Sequence, residues 1–440
     1  MKTKRHSIRK LHTKASDSIP MKYDAIVIGA GPGGYTLAAG LAASGLHTAI
    51  VERDLPGGTC LNRGCIPTKA LCASGSAPWD SATEHARSVV AQLRDDVKAS
   101  LTAVEWIPGD ARLLPGRRIS VGDGEIESDR IYIATGSAPA ALPIEGAEHA
   151  IDSTAFLKLE KLPERVAVIG AGVIGLEFAS ILADKGVDVT VLEYCKEILP
   201  PADKDVAKRL RSLLSRRGVA FLTGVAVKAI HPGFSIDYEG KKGLATLDTD
   251  MVLMAVGRRA VVPEGVAEAG VELTPRGFIS VDPHTLATTA EGIYAIGDCN
   301  GLCMLAHAAE AQARVLLGRP VVMEAMPSVV FTHPPCAWVG PTEDALKAEG
   351  RSFISGKALY GGNGKAMADG TTDGFVKVLA DPETRKILAF HILGADADAL
   401  IGEATLAVAL GVSLNTLASA VIHPHPTLTE LLATACANCR

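Results

Sequence analysis

Two cysteines close together in the sequence are the residues of this chain best suited to redox chemistry. Cys60 and Cys65 stand in the segment GGTCLNRGCIPTKAL, separated by four residues. A disulfide needs Cα atoms about 4.4 to 6.8 Å apart, which a regular helix does not give to residues five positions apart. A bond between the two therefore requires distorted backbone, and the segment contains Gly57, Gly58, Gly64 and Pro67. The spacing predicts a redox-active pair, and two separately buried thiols are the alternative.

The residues that follow the pair favour the reactive form of a thiol. A helix that begins in this segment would place its positive end near a thiol, and Lys69 follows Cys65 by one helical turn. Both positive charges lower the pKa of a thiol, and the thiolate is the form that attacks disulfides. We therefore expect the pair to exchange electrons with a dithiol or disulfide substrate.

A strand–helix–strand unit occurs twice and organises the chain. Residues 24–54 read DAIVIGAGPGGYTLAAGLAASGLHTAIVERD, and residues 165–195, shifted by 141 positions, read RVAVIGAGVIGLEFASILADKGVDVTVLEYC. Each copy opens with an apolar run, turns through a glycine loop, continues as a helix, breaks at Gly45 or Gly186, and returns as a second apolar run. The pattern predicts an α/β fold with two Rossmann-like, parallel-stranded units.

The glycines of both loops follow the G-x-G-x-x-G spacing of dinucleotide-binding units. The first permits a tight turn, the second lets the backbone approach a pyrophosphate, and the third brings helix against strand. An acid that can bind a ribose hydroxyl, Glu52 or Glu193, stands 23 residues after the first glycine of each loop. Two matched copies predict two bound dinucleotides, with the cysteine segment lying along the first. The loop residues are Gly29, Gly31 and Gly34, and Gly170, Gly172 and Gly175.

Composition and charge limit the number of domains, the kind of partner and the cellular location that we expect. A chain of 440 residues with 48% apolar residues can bury two to four domains, and a net charge of −5 without a basic stripe argues against nucleic acid as the main partner. No charge-free apolar run of 18 residues appears, so no membrane span is expected. Nine scattered cysteines without a secretory signal indicate a reducing, cytoplasmic location. The basic residues 1–20 are predicted to be a disordered tail, with an organelle-targeting segment as the alternative, and the fold is expected to begin near Met21.

Five segments together resemble the class I pyridine-nucleotide disulfide oxidoreductases. They are GGTCLNRGCIPTKAL, AGVIGLEF, GIYAIGDC (292–299), MLAHAAE (304–310) and HPHPTLTE (423–430). The resemblance spans Met21 to about Ala435, and within the family it is strongest to the enzymes that act on dihydrolipoamide. It implies a third domain, of α+β type, for dimerisation.

The resemblance divides the chain into domains. An FAD-binding domain is expected over residues 21–145 and an NAD-binding domain over 146–265. Residues 266–326 complete the FAD-binding part, and residues 327–440 form the dimerisation domain. In this arrangement the first glycine loop serves FAD and the second serves NAD.

The same resemblance implies roles for residues around each cofactor. Glu52 would bind the FAD ribose, Asp298 its ribityl chain, and a Lys69–Glu177 ion pair would lie beside the flavin. NAD rather than NADP is favoured because the Glu193 carboxylate accepts ribose hydroxyls but repels a 2′-phosphate. The other implied contacts are Ala111, Gly136 and Ala306 for FAD, and Val227 and Gly257 for NAD.

His425, oriented by Glu430, resembles the catalytic base of the family. A dithiol must lose a proton before it attacks a disulfide, and imidazole can accept one near neutral pH. The resemblance implies a homodimer in which His425 serves the partner subunit's Cys60. Cys60 would exchange with the dithiol, Cys65 would pass electrons to FAD, and NADH would form. His423-x-His425 lacks further flanking ligands, so no metal is expected.

Several features leave alternatives open. The terminal CysAlaAsnCys, Cys436 to Cys439, could carry electrons onward, as in reductases of other disulfides or of mercuric ion, or could be two inert thiols. A non-catalytic role in an acyltransferase complex is another possibility, and the sequence does not distinguish a 2-oxoacid dehydrogenase from a glycine-cleavage complex as partner. Residues 69–106 are shorter than the family leads us to expect. Pro335 and Cys336 replace an acid and an aliphatic residue.

Overall fold

The computed structural model describes residues 21–440, so the predicted basic tail, residues 1–20, lies outside the described residues. The described chain forms two compact units. The first unit contains residues 21–62, Gln92–Ala138 and Arg259–Val321, and the second contains Arg63–Ala91, Pro139–Arg258 and Val322–Arg440. Within residues 21–440, no helix is long and apolar enough to cross a membrane.

The first unit is built on a parallel sheet of five strands, with helices that follow the glycine loop and the GIYAIGDC segment. The strand order is β18-β8-β2-β3-β4, with bounds Ile293–Ala295 (β18), Ile131–Ile133 (β8), Ala25–Ile28 (β2), Thr48–Glu52 (β3) and Glu105–Pro108 (β4). A second sheet has the order β1-β7-β6-β5: Met21–Tyr23, Gly124–Ser128, Arg118–Val121 and Ala111–Leu114. The helices are α1 (Pro32–Ala43) and α8 (Ala306–Leu316).

Helix α1 begins where the sequence predicts it. Pro32 fills the first helical position, where a missing N–H costs no hydrogen bond, and Gly45 ends the helix with φ +87°. The helix packs closely on α8, because a Cβ at Gly33 would lie 3.0 Å from the Ala309 carbonyl oxygen. The glycine loop is thereby held between a fully buried strand and two packed helices.

One part of the second unit repeats this plan. Its parallel sheet has the order β12-β11-β10-β16: Val219–Thr223, Asp188–Glu193, Arg165–Ile169 and Met251–Met254. An antiparallel sheet, β13-β14-β15, spans Ala226–His231, Ser235–Gly240 and Gly243–Asp248. The helices are α3 (Cys65–Ala73), α5 (Ser153–Phe156), α6 (Val173–Asp184) and α7 (Lys204–Arg216).

The rest of the second unit is an antiparallel sheet covered by helices. Its order is β19-β20-β23-β22-β21: Ser328–Val330, Cys336–Val339, Ile387–Leu393, Phe375–Ala380 and Ile354–Leu359. The helices are α9 (Glu343–Ala348), α10 (Gly364–Asp369), α11 (Ala397–Ala409), α12 (Glu430–Ala437) and a π-helix, Thr416–Ala420.

Four elements contain points where the chain passes from one unit to the other: α2 (Gly58–Arg63), α4 (Trp79–Ser100), β9 (Ser137–Pro139) and β17 (Arg258–Ala260). The 3₁₀ helices are Ala147–His149, Gly297–Asn300, Met323–Ala325 and Tyr360–Gly362. Two parallel sheets of the Rossmann-like kind and a C-terminal antiparallel α+β part confirm the predicted fold class. The four domain boundaries set from the sequence stay predictions.

A lysine is buried in the C-terminal sheet among three carboxylates. Lys377 on β22 is 1% exposed, and its Nζ lies 2.9 Å from Asp203, 3.0 Å from Asp205 and 2.7 Å from Glu343. Burial acts to raise the pKa of Asp205, but hydrogen bonds from Lys357 and Lys377 hold it at about 2. Glu343 is likewise held at a pKa of about 2, against the effect of burial, by Lys377 and Lys347. The network joins α7, β22 and α9 within the second unit.

The histidine beside Lys377 predicts a pH dependence of stability. His391 pairs with Lys377 across the β22–β23 ladder, is fully buried, and donates from Nε2 to the Pro341 carbonyl over 3.1 Å, while Nδ1 has no partner. Burial, the largest cause, lowers its pKa from 6.5 to about 4. Between these values the unfolded chain binds a proton that the folded chain does not, so the free energy of unfolding falls as pH falls. We expect a loss of about 3 kcal/mol between pH 6.5 and 4.

Urea unfolding measured at pH 7.5, 6.0 and 4.5 checks this expectation. His391→Phe should flatten the dependence over that range, whereas the exposed His284→Gln control should keep it. An unchanged pH dependence in His391→Phe would show that other groups cause the acid sensitivity.

Candidate active site

The first glycine loop has the geometry that its sequence predicts. A Cβ at Gly29 would collide with the Ala134 carbonyl, and one at Gly34 would collide with the Gly29 carbonyl. At Gly31, the residue that precedes α1, an added Cβ would meet nothing within 4 Å, and α1 has no side-chain cap. The loop therefore leaves open space and unpaired helix N–H groups on the side where a pyrophosphate would lie.

Glu52 does more than the sequence indicates, because its carboxylate also holds the loop. It accepts from the backbone N–H of Ala30 over 2.7 Å and from that of Asp54 over 2.8 Å. Each carboxylate oxygen keeps a second lone pair, which can accept a ribose hydroxyl. The acid at the end of β3 is thus fixed in place before any ligand binds.

The second glycine loop repeats this arrangement in the second unit. Added Cβ atoms at Gly170 and Gly175 would collide with backbone carbonyls, whereas Gly172 again faces open space at the start of the uncapped α6. Glu193 accepts from the N–H groups of Ala171, over 2.6 Å, and Cys195, over 2.7 Å. Both loops therefore fit a dinucleotide.

The remaining residues assigned to nucleotide contacts lie at turns and strand ends around these loops. In the first unit, Asp298 accepts from Ser137 Oγ over 2.5 Å, Gly136 adopts φ +70°, Ala111 begins β5, and Ala306 is the first residue of the uncapped α8. In the second unit, Val227 lies on β13 beside a register shift, and Gly257 adopts φ +112° with open space at its Cβ. Their contacts with cofactors stay predictions.

The first cysteine lies next to the first glycine loop. Gly57 donates its N–H to the Ala30 carbonyl over 2.8 Å, and a Cβ at Gly58 would lie 2.6 Å from the Gly31 Cα. This contact requires glycine and brings α2, which carries Cys60, against the start of α1. Tyr35 on α1 is a neighbour that the sequence did not indicate. Its pKa is raised to about 12 by burial first, and then by Glu310 and Cys60.

The backbone between the two cysteines is interrupted. Helix α2 ends at Arg63, Gly64 adopts φ −148° and ψ −117°, and Cys65 is the first residue of α3. The Gly64 carbonyl accepts from the N–H of Thr68 over 3.1 Å and from its hydroxyl over 2.7 Å, which fixes the new helix start. Cys65 thus occupies the helix start that favours a thiolate.

Lys69 and Glu177 form the ion pair that the resemblance implies. The ammonium lies 2.9 and 2.7 Å from the two carboxylate oxygens, and the Glu177 side chain is 3% exposed. Glu177 also accepts from the N–H of Phe331 over 3.0 Å, and the ammonium lies 4.7 Å from the centre of the Phe331 ring. The pair joins α3 to α6 and to residue 331 within the second unit.

Helix α6 continues this contact along one polar face, which we define as Glu177, Ser180 and Asp184. Ser180 Oγ accepts from the N–H of His333 over 3.0 Å, and Asp184 Oδ2 lies 2.5 Å from His333 Nδ1. Asp184 also pairs with Arg217. The sequence did not reveal this face, although polar residues at i, i+3 and i+7 of an apolar helix were its visible signal.

The proposed base and its carboxylate are also in contact. His425 Nδ1 lies 3.0 Å from Glu430 Oε1, and the imidazole is 79% exposed. The N–H of Thr427, which donates to Oε2 over 2.9 Å, is the main cause that lowers the pKa of Glu430, followed by the bond to His425. The carboxylate fixes one ring nitrogen and leaves the other, Nε2, toward solvent. Among residues 21–440, no group of three or more His, Cys, Asp or Glu side chains could hold a metal.

The C-terminal cysteines lie in the core of the second unit. Cys436 and Cys439 are 2% and 5% exposed, and burial is the main cause that raises the pKa of both thiols. The tail is bound to β21, because the Asn438 amide donates to the Lys357 carbonyl over 2.9 Å and Arg440 exchanges backbone hydrogen bonds with Ser355. These are properties of inert, structural thiols.

Comparison with known proteins agrees with this geometry. The family described as pyridine nucleotide-disulphide oxidoreductase matches residues 23–313, and its dimerisation domain matches residues 326–436. Dihydrolipoyl dehydrogenase 3 of Pseudomonas aeruginosa is 38% identical over 452 residues, covering 93% of this chain and 96% of the relative. Dihydrolipoyl dehydrogenase of Bacillus subtilis is 35% identical over 463 residues, with the same shares covered.

A solved structure shows the same likeness. The HOCl-induced flavoprotein disulfide reductase RclA from Escherichia coli superposes with a TM-score of 0.87 at 30% identity, covering 94% of this chain and 99% of that one. With its two dinucleotide loops and a dimerisation domain, this chain belongs to the pyridine nucleotide-disulphide oxidoreductases, flavoproteins that bind FAD and a nicotinamide cofactor, NAD or NADP.

Proposed function

We propose that this disulfide oxidoreductase is a dihydrolipoyl dehydrogenase, which converts dihydrolipoamide and NAD to lipoamide and NADH. The observation that carries the proposal is the exposed His425 held by Glu430, because an oriented base is needed to deprotonate a dithiol. The names of relatives 35% to 38% identical over most of the chain support the same substrate.

The chain's own residues would act in sequence. His425 takes a proton from one substrate thiol, and the resulting thiolate attacks Cys60, breaking a Cys60–Cys65 disulfide and forming a mixed disulfide. The second substrate thiol, whose proton passes to the departing Cys60 sulfur, attacks the substrate sulfur of the mixed disulfide, which releases lipoamide and leaves Cys60 as a thiol and Cys65 as a thiolate. Re-forming the Cys60–Cys65 bond releases two electrons, and FAD, which the first glycine loop and Glu52 would hold, would supply the two-electron chemistry that links the cysteines to NAD at the second loop. Glu430 orients His425 throughout.

The proposal includes a homodimer in a cytoplasmic setting. The matched dimerisation domain supports self-association. We infer that each subunit's His425 serves the partner subunit's Cys60, and that the enzyme acts on the lipoyl groups of a 2-oxoacid dehydrogenase or glycine-cleavage complex. The contacts assigned to FAD and NAD, together with the four predicted domains, belong to the same proposal.

A reductase of another disulfide is the second candidate, favoured by the likeness to RclA, which is described as a flavoprotein disulfide reductase. The variant of this idea that uses the C-terminal pair as an electron relay is disfavoured by the burial of both thiols.

One set of assays separates the candidates. The purified protein is given dihydrolipoamide with NAD and, separately, NADH with glutathione disulfide, thioredoxin or mercuric ion. Rapid NADH formation from dihydrolipoamide supports the proposal. If dihydrolipoamide is inert while another acceptor consumes NADH, the chain is a reductase and the proposed substrate is wrong.

Replacing both C-terminal cysteines tests whether they carry electrons. We expect Cys436→Ala with Cys439→Ala to leave turnover unchanged in every assay that the wild type supports, because the thiols are buried and their pKa values are raised. The thermal unfolding midpoint is measured beside turnover. If the double variant loses turnover while its unfolding midpoint is unaltered, the C-terminal cysteines do carry electrons.

A further inference from the structure

The segment that carries the proposed base has little backbone support of its own. In the described chain, the N–H groups of residues 422–426 make no backbone hydrogen bond, and two of these residues are prolines. The π-helix Thr416–Ala420 precedes the segment, and its last backbone bond runs from the Val421 N–H to the Thr416 carbonyl over 3.1 Å. Side chains must therefore fix the position of His425.

The downstream end of the segment is held by the base's own partner. Glu430 binds both His425 and the N–H of Thr427, and the Thr427 hydroxyl donates to the Pro424 carbonyl over 2.7 Å. The Asn363 amide donates to the Thr427 carbonyl over 3.0 Å. These bonds orient the imidazole but do not fix the chain that enters from the π-helix.

The upstream end is held by a second imidazole–carboxylate pair. His423 Nε2 lies 2.8 Å from Glu403 Oε1 on α11, and the His423 side chain is 7% exposed. A side chain so enclosed cannot serve a substrate, whereas His425, two residues later, is 79% exposed. The residue between them is Pro424, whose ring fixes φ and so transmits the position of one histidine to the other.

We propose that Glu403 is a positioning residue, which anchors His423 and thereby places His425 for proton transfer. The inference rests on the proposed use of His425 as the base. Glu403 acts indirectly, because it holds the backbone at His423, whereas Glu430 contacts the imidazole of the base itself. His423 is close enough to Glu430 to contribute to the lowering of the pKa of that carboxyl, so the two pairs adjoin.

The test compares variants of Glu403 in two assays. The first is turnover with whichever substrate the wild type uses, dihydrolipoamide, glutathione disulfide or thioredoxin, since each requires proton transfer at the thiols. The second is NADH-driven reduction of ferricyanide, which takes electrons without passing through His425. Glu403→Ala should lower kcat in the first assay by about 10- to 100-fold, the scale for a base misplaced by about 1 Å. KM and the ferricyanide rate should stay near the wild-type values.

A conservative variant and a matched control complete the design. Glu403→Gln keeps an oxygen that accepts from His423, so it should recover most of the lost kcat, and the exposed Asp398→Asn on the same helix should match the wild type. Wild-type kcat in Glu403→Ala, or equal losses in both assays, would overturn the inference. If the wild type is inactive with dihydrolipoamide but active with another disulfide, the proposed substrate is wrong. The ratio of variant to wild-type kcat with that other disulfide then still tests the role of Glu403.

Discussion

Serine in place of Cys65 is expected to abolish thiol-driven NAD reduction. Removal of one member of a group of residues that act as a unit typically costs several powers of ten, and we expect a loss of about 10⁴-fold or more in kcat/KM. Cys65 begins α3, where the helix start favours a thiolate, and a serine hydroxyl at the same place cannot form or break a disulfide. Cys60→Ser should cause a loss of similar size.

The comparison with ferricyanide distinguishes lost chemistry from lost structure. Both variants should still bind FAD and reduce ferricyanide with NADH, because neither cysteine belongs to a glycine loop. Cys303→Ser, a partly buried cysteine outside the pair, is the control and should keep full thiol-driven activity. If Cys65→Ser retained thiol-driven NAD reduction, the electron path through Cys60 and Cys65 would be wrong.

The second prediction with a large expected effect concerns the free energy of unfolding. Lys377→Met should lower the free energy of unfolding by about 3 to 5 kcal/mol, the cost of leaving a buried charge without its partner. The residue that loses most is Asp203, which is 1% exposed and keeps only backbone donors, whereas Asp205 keeps Lys357 and Glu343 keeps Lys347. Urea unfolding at one fixed protein concentration and pH 7.5 measures the loss, since the proposed dimerisation would make stability depend on concentration.

Two further variants identify the cause of that loss. Lys377→Met combined with Asp203→Asn should recover much of the stability, because the uncompensated charge is gone. The exposed Lys365–Asp369 pair, one helical turn apart, gives the control, and Lys365→Met should cost less than about 0.5 kcal/mol. A similar small loss in Lys377→Met would mean that water reaches Asp203 readily and that the network contributes little.

The sequence predicts the fold well where the structure depends on local, repeated patterns. Both glycine loops are recognisable because turn, close approach and helix packing each require glycine at a fixed spacing, and the matching acids confirm the register. The break between Cys60 and Cys65 follows from the same kind of local argument. Lys69 and Glu177, 108 positions apart, could be paired only through the family resemblance.

Contacts between distant segments account for what the sequence does not reveal. The bonds that His333 makes with Ser180 and Asp184 join residues about 150 positions apart. In the sequence FVKVLA, Lys377 looks like an ordinary surface charge, although all six residues of that strand are buried. The terminal C-x-x-C pattern likewise carries no information about burial. Glu403 belongs to no sequence motif, and its contact with His423 is known only from the structure, where α11 lies beside His423.

Helix α6 sets the distance between the second glycine loop and Asp184 within the second unit. Twelve residues at 1.5 Å each give a rod about 18 Å long, whose first turn belongs to the second glycine loop and whose last turn ends at Asp184. Lys69, on the helix that begins at Cys65, binds Glu177 on the second turn of α6. The N–H of Phe331 also binds Glu177, and the N–H of His333 binds Ser180 farther along α6. Because one helix carries the second glycine loop at its start and the partner of Lys69 on its second turn, it sets the distance between the nucleotide loop and the thiol-bearing helix.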